Sequence, residues 1–596
     1  MELNFLDWSI VIFMLALTLF IGIKFKNKAS SSLADFFVGG RSFPWYLAGL
    51  SMVATTFAAD TPLAVTEIIR KDGISGNWVW WNMAISGMLT TFFFARLWRR
   101  ANVLTELEFL ELRYKGIYAR ILVAFKSVYL GVIMNAIVIG WVNYALMQIL
   151  IVFFGIPEST CYYVIFGAML FAAFYSSLSG IWGVAITDVI QFGVAMTGCI
   201  ILAYYVLDNE QVGGIEGLKA ALPEGTMDFL PQLGVKEGIH GFSISIITFI
   251  SFVGIQWWAS WFPGAEPGGG GYIAQRIMST KNEDHAVYSS LFFNIAHYCL
   301  RPWPWIIVGL GTIILYPVSP DVNDGQTFVM AIKDLLPSGL KGLLFASFIA
   351  AYLSTISTQL NWGASFLTND LFKRFIHQPK EGEDVQKTYL KAGRINTLII
   401  MLVAFSITPF IESVASTWKF LLGCGAGLGM VLILRWFWWR INAITELVAT
   451  FAPFIYFFIC SFWLEDLLGE SFIENNGSFL TTAFLTTITW LIVAFSSKPE
   501  EINTLRTFYE QVRPLKRWNI KTKGETITLT TNDALSVKWL ALSWVSAVLV
   551  TYSALFLIGK IIFGEYIEAF QLAGLTLIFF GLLKWSMRRS KVFAVN

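Results

Sequence analysis

The chain has 596 residues, 56% of them hydrophobic and 14% charged, with a formal net charge of +2. Soluble globular domains carry about 25% charged residues, so a soluble multidomain architecture is excluded. The balanced charge, with no basic run interleaved with aromatics, gives no footprint for nucleic acid.

Apolar runs recur almost to the C-terminus, and each needs about 20 residues to cross a hydrocarbon layer of roughly 30 Å. Backbone groups inside lipid must be satisfied within their own segment, so the runs are predicted to be helices. The N-terminus, Met1 to Trp8, is acidic and lacks the basic start of a signal peptide. The run that follows is expected to stay as a first membrane helix with its N-terminus outside, because Lys24, Lys26 and Lys28 come after it. About fifteen spans follow from the apolar pattern. The basic loops Arg96–Arg120, Lys373–Arg394 and Lys498–Lys523 then lie in the cytoplasm with the C-terminus, and the acidic loops 207–242 and 317–338 lie outside. This is a multi-pass protein, expected in a bacterial inner (cell) membrane. The 498–536 connection is too short for a nucleotide-binding domain, and no GxxxxGK[ST] loop occurs in the chain. Its energy source is therefore not ATP hydrolysed by this chain.

Two spans are chemically unusual. The second contains Ala54-Thr55-Thr56-Phe57-Ala58-Ala59-Asp60-Thr61-Pro62, and the seventh ends in Pro263-Gly264-Ala265-Glu266-Pro267 followed by Gly268 to Gly271. Such residues free backbone groups from the helix ladder, which a membrane tolerates only in protein interiors or beside a cavity. Paired interruptions in two halves point to a transporter's binding site. Five spans separate them, so the second copy enters the membrane inverted. The predicted fold is all-α: a 5+5 inverted-repeat core over 31–440, with repeats at about 43–206 and 243–438. One leading helix occupies 1–30 and four trailing helices occupy 441–596.

In the ninth span Ala351, Ser354 and Thr355 stand at i, i+3 and i+4 and share a helix face. Two hydroxyls and a carbonyl suit a hard monovalent cation, with freed carbonyls near Ala54 and Phe57 completing the shell. The same pattern also serves hydroxyls that bond their own i−4 carbonyls or join helices. Arg301, inside Arg301-Pro302-Trp303-Pro304-Trp305, needs a carboxylate or several carbonyls, and Asp60, Asp188 and Glu266 are the candidate partners. Trp257, Trp258 and Trp261 flank the second interruption, placed either to stack on a sugar ring or cation or to form an interfacial belt. The five cysteines are scattered singly, without metal or disulfide spacing. No His-Glu-x-x-His, catalytic carboxylate pair or nucleophile elbow suggests an enzyme.

Several stretches, in order and spacing, resemble the sodium:solute symporter family over roughly residues 5–440. They are Asp35-Phe36-Phe37-Val38-Gly39-Gly40-Arg41-Ser42-Phe43-Pro44-Trp45, Thr187-Asp188-Val189-Ile190-Gln191, Gln275-Arg276-Ile277-Met278-Ser279-Thr280-Lys281-Asn282, and Ser365-Phe366-Leu367-Thr368-Asn369-Asp370-Leu371-Phe372. The resemblance implies a leucine-transporter-like fold and sodium-coupled symport of a small polar solute (a sugar, polyol or other metabolite). The alternatives are a proton-coupled transporter or a membrane solute sensor on the same fold. It also implies a sodium ion held by carbonyls of Ala54, Phe57 and Ala351 and hydroxyls of Ser354 and Thr355, with Asp188 tuning that ion or holding a second. Direct transfer of sugar contacts fails: Asp60-Thr61 and the tetraglycine replace the polar residues that sugar-transporting relatives carry there. Asp60, Thr61, Trp257, Trp261, Glu266 and Arg301 are the candidate solute contacts. The expected partners are a small-molecule solute and the lipid bilayer. The sequence leaves solute, stoichiometry and oligomeric state open.

Overall fold

The computed structural model describes residues 3–29, 33–233, 243–262, 264–319, 322–379, 383–522, 525–532 and 535–593. Among them, ten helices are long and apolar enough to cross a membrane, or eleven if the bent pair Trp45–Thr55 and Asp60–Asp72 is one span. The sequence predicts about fifteen spans. The five expected spans outside those ten fall where the chain is helical in shorter pieces: the bent pair, the run of pieces from Trp78–Trp81 to Ala95–Ala101, Glu158–Phe174, Ile246–Ala259, and Val414–Cys424 with Gly429–Leu434. Interruption, rather than loss of apolar character, keeps these below the length of a continuous crossing helix.

Each interruption has a local cause. The helix Glu158–Leu207 turns at Gly180, whose φ of 53° is accessible to glycine without a Cβ clash. Trp45–Thr55 and Asp60–Asp72 meet at 58° across Thr56–Ala59. The second interruption separates Ile246–Ala259 from Gly271–Met278. Its Pro263 lies outside the described residues. Here one break satisfies another: Gly427 N–H donates to the Ala259 carbonyl at 2.9 Å, and Trp261 N–H donates to Gly425 at 3.2 Å. Gly425 and Gly427 lie in the gap between Val414–Cys424 and Gly429–Leu434, so orphaned groups of two broken helices pair without water.

The helix Leu340–Ile376 is the centre, with 89% of its apolar window buried, whereas Tyr566–Ser590 has 11% buried and turns Ile567, Phe570 and Phe580 outward. Large apolar side chains exposed on outer helices are what lipid contact requires. The leading helix Phe5–Ala29 packs on Glu158–Leu207 and on the central helix. Asp7 locks that contact, its Oδ1 accepting from Gly339 N–H at 2.7 Å and Gly342 N–H at 2.8 Å. A carboxylate is stabilised at a helix N-terminus, where backbone donors lack intrahelical partners.

The architecture is helical as expected, with two short β-pairings in its connections. Gln232–Leu233 pairs in parallel with Ser243–Ile244, and within the 498–536 connection Arg517–Thr522 and Glu525–Thr530 form an antiparallel hairpin with Arg517 opposite Thr530. The hairpin docks through alternate residues: Trp518 and Ile520 are buried, and the Trp518 indole donates to the Phe437 carbonyl at 2.6 Å.

Candidate functional site

The first break, the central helix and the helix after the second break converge on a buried polar network. Asp188 is its anionic centre. Its Oδ2 accepts from Ser51 Oγ at 2.9 Å and Thr55 Oγ1 at 3.4 Å, and its Oδ1 accepts from Ser354 Oγ. Opposite lies Arg276, whose Nη2 donates to Thr55 Oγ1 at 3.2 Å and Thr358 Oγ1 at 3.1 Å, and whose Nε reaches Ser51 Oγ at 3.5 Å. Both charges are buried. They are connected through the hydroxyls of Ser51 and Thr55, each accepting from the guanidinium and donating to the carboxylate, so the pair is bridged without direct contact. Sequence reasoning singled out Asp188 and Ser354 but missed Arg276, Ser51 and Thr358 as their partners. The Gln275-Arg276 pair was the available signal, since a membrane-buried arginine demands a partner.

Beside this network is a cavity of about 1100 Å³, lined by Asp60, Thr61, Arg301, Thr355, Gln359 and Trp80 among others. Thr355 Oγ1 is buried and has no hydrogen-bond partner among the described residues. An orphaned hydroxyl costs about 1–3 kcal/mol unless something binds it. It stands next to Ser354 on the central helix, with Ala54, Phe57 and Ala351 also buried. The donor set fits a sodium ion: neutral oxygens, one of them unengaged, beside a broken helix. The Ser354 hydroxyl is shared with Asp188.

Arg301 does not meet Asp60, Asp188 or Glu266 in an ion pair among the described residues. Its Nη1 donates to the Val53 carbonyl at 3.3 Å and Thr56 Oγ1 at 3.0 Å, its Nη2 lies 3.3 Å from His297 Nε2, and the guanidinium sits 5.1 Å from the Trp305 ring centroid. The carbonyl end of Trp45–Thr55 takes the place of a carboxylate. Asp60 opens the other half of the broken helix, with Oδ1 lacking a hydrogen-bond partner among the described residues. Of the six candidate solute contacts, Asp60, Thr61 and Arg301 line the cavity; Trp257, Trp261 and Glu266 do not. Trp257 packs on Trp544 at 5.5 Å, and the Trp261 indole donates to Glu266 Oε2 at 2.9 Å. Glu266 is drawn away by Arg435, 3.5 Å from its Oε1.

The tetraglycine is explained at the same place. A Cβ on Gly270 would meet the Glu266 carboxylate at 1.8 Å. Glu266 is pinned by Trp261 and Arg435, so Gly270→Ala is expected to cost about 1–3 kcal/mol through overpacking, read as a lower melting temperature of the purified protein.

Comparison with known proteins places the chain in a family. The model for "Sodium:solute symporter family" matches residues 36–451. The chain is 24% identical over 535 residues to the sodium/glucose cotransporter of Vibrio parahaemolyticus, covering 84% of this chain and 92% of that protein. It is 23% identical over 490 residues to sodium/glucose cotransporter 1 of Oryctolagus cuniculus, covering 74% of this chain and 69% of that protein. Its fold matches that of a sodium-coupled sialic acid symporter, solved in a substrate-bound, outward-open state, with a TM-score of 0.65 at 19% identity over 84% of this chain and 99% of that one. With a family match spanning more than half its length, this multi-pass membrane protein belongs to the sodium:solute symporter family, a family of transporters.

Proposed function

We propose that this protein is a secondary active transporter that carries a small polar solute, of the sugar or polyol kind, together with sodium by alternating access. The observation that carries the reading is the unengaged, buried Thr355 hydroxyl at the wall of a large cavity beside a broken helix. In this reading carbonyls of Ala54, Phe57 and Ala351 join the hydroxyls of Ser354 and Thr355 around the ion, and Asp188 tunes it. Asp60, Thr61 and Arg301 meet the solute. All fifteen apolar segments cross the bilayer, interrupted ones included, with the N-terminus outside and the C-terminus in the cytoplasm. The drive is the sodium gradient plus the membrane potential, worth about 2.3 kcal/mol per charge per 100 mV.

The test is thermal stability of the detergent-purified protein in sodium chloride against potassium chloride at equal concentration. Sodium at ten times its dissociation constant adds about 1.4 kcal/mol to the bound state, read as a sodium-specific rise in melting temperature. A folded protein with equal melting temperatures in both salts would remove sodium from the mechanism. The same assay in sodium then screens solutes, and glucose is the first to try because relatives at 24% and 23% identity are sodium/glucose cotransporters.

A further inference from the structure

The linker after Ile246–Ala259 folds against the short helix Glu106–Arg113, the end of Gly429–Leu434 and the start of Ala443–Ile459. Five charged side chains meet there, all buried: Glu106, Glu266, Glu446, Arg435 and Lys126. Glu446 is fully engaged, accepting from Lys126, from Arg435 Nη1 at 2.9 Å and from the Tyr114 hydroxyl at 2.8 Å. Arg435 Nη2 is shared by two carboxylates, lying 3.4 Å from Glu106 Oε1 and 3.5 Å from Glu266 Oε1, while Arg435 Nε has no hydrogen-bond partner among the described residues. Glu106 Oε2 accepts from Gly271 N–H at 3.0 Å, and Glu266 Oε2 accepts from the Trp261 indole at 2.9 Å. Glu266 Oε1, completely buried, has no hydrogen-bond partner among the described residues.

Other charges nearby do not alter the balance. Arg113 donates to the carbonyls of Arg435, Trp438 and Ile441 and faces both Glu446 and Glu500, the latter accepting from the N–H groups of Lys115 and Ala443, so counting Arg113 with Glu500 adds one charge of each sign. The cluster therefore holds three carboxylates against two cations, one positive charge short, in a place where an uncompensated charge is strongly disfavoured. Two carboxylates confined to one site do not both ionise readily. A hydrated ion does not fit: the void beside Glu266 is about 20 Å³, room for roughly one water.

We propose that Glu266, facing Glu106 across the shared Arg435 nitrogen, holds a proton, making the linker of the second broken helix a proton site separate from the cavity and from the Ser354 and Thr355 oxygens. A movement of the linker that admits water would release the proton, tying the position of this break to pH.

Infrared difference spectroscopy of the full-length protein in lipid nanodiscs, with hydrogen–deuterium exchange, reads protonated carboxyl groups directly. Glu266→Gln and Glu106→Gln each leave two carboxylates facing two cations, so each is expected to remove the same single protonated-carboxyl component at about pH 7, where exposed carboxylates are ionised. The wild type is expected to lose melting temperature as pH rises above the ordinary carboxylate range, because a group that binds its proton more tightly in the folded state loses that stabilisation as pH rises. Both variants are expected to be flatter over that rise and to melt no lower than wild type at its upper end. A component that persists in either folded variant overturns the proposal. So does loss of fold in both, which would mean that both carboxylates are needed ionised. A sodium-specific thermal shift that vanishes in both variants while the infrared component stays would reassign the site to a metal cation.

Discussion

Thr355→Val is expected to weaken sodium activation of transport by about tenfold to a hundredfold while leaving stability in potassium nearly unchanged. The side chain keeps its shape and loses only Oγ1, an atom with no hydrogen-bond partner among the described residues. An oxygen that engages a charged partner is worth about 1.5–3 kcal/mol, and each 1.4 kcal/mol is about tenfold in affinity. Ser354→Ala is expected to behave differently. Its hydroxyl donates to Asp188, so removal costs an ion ligand and also leaves a buried carboxylate one donor short. That variant should lose stability in both salts, by about 1–3 kcal/mol, as well as sodium activation. The measurement is initial uptake in proteoliposomes against sodium concentration, paired with melting temperatures in each salt. Unchanged sodium activation in Thr355→Val would remove that hydroxyl from the ion site.

What the sequence makes legible here is what one helix displays on its own. Ala351, Ser354 and Thr355 share a face by helical spacing alone, and the break after Ala54 is written in its run of small and polar residues before Pro62. The second break announces itself through four consecutive glycines. Pairings between distant segments are not legible. Arg301 reads as needing a carboxylate or several carbonyls, and the sequence does not say which; the Val53 carbonyl and Thr56 hydroxyl of the first broken helix serve it. Glu266 reads as a solute contact because it adjoins the break, whereas Arg435 and Trp261 turn it into a buried cluster. Glu106 and Glu446, its companions, lie in segments 340 residues apart whose own spacing gives no hint of a meeting. The hairpin within 498–536 was overlooked for another reason. Its inward residues Trp518 and Ile520 stand among charged and hydroxyl side chains, so it reads as a polar loop when the search is for apolar runs.

Arg276→Met should be among the most damaging single changes in the core. It leaves Asp188 buried with three hydroxyl donors and no countercharge. Breaking a buried pair by removing one partner costs about 3–5 kcal/mol. Arg276→Lys is not expected to rescue it, because a single ammonium on a shorter stem does not span the hydroxyls of Ser51, Thr55 and Thr358. Asp188→Asn alone should also destabilise, by stranding the guanidinium. The double variant removes both charges, leaving neutral hydroxyls free to bond one another, so its loss should fall well short of the sum of the two single losses. Melting temperatures of the four proteins close that cycle. Transport then separates stability from function: with Asp188 tuning the ion, the double variant recovers much of its stability in potassium but not its sodium activation. Recovery of both would make Asp188 a packing partner of Arg276 only, and additive losses would show that the hydroxyl bridge between them carries no coupling.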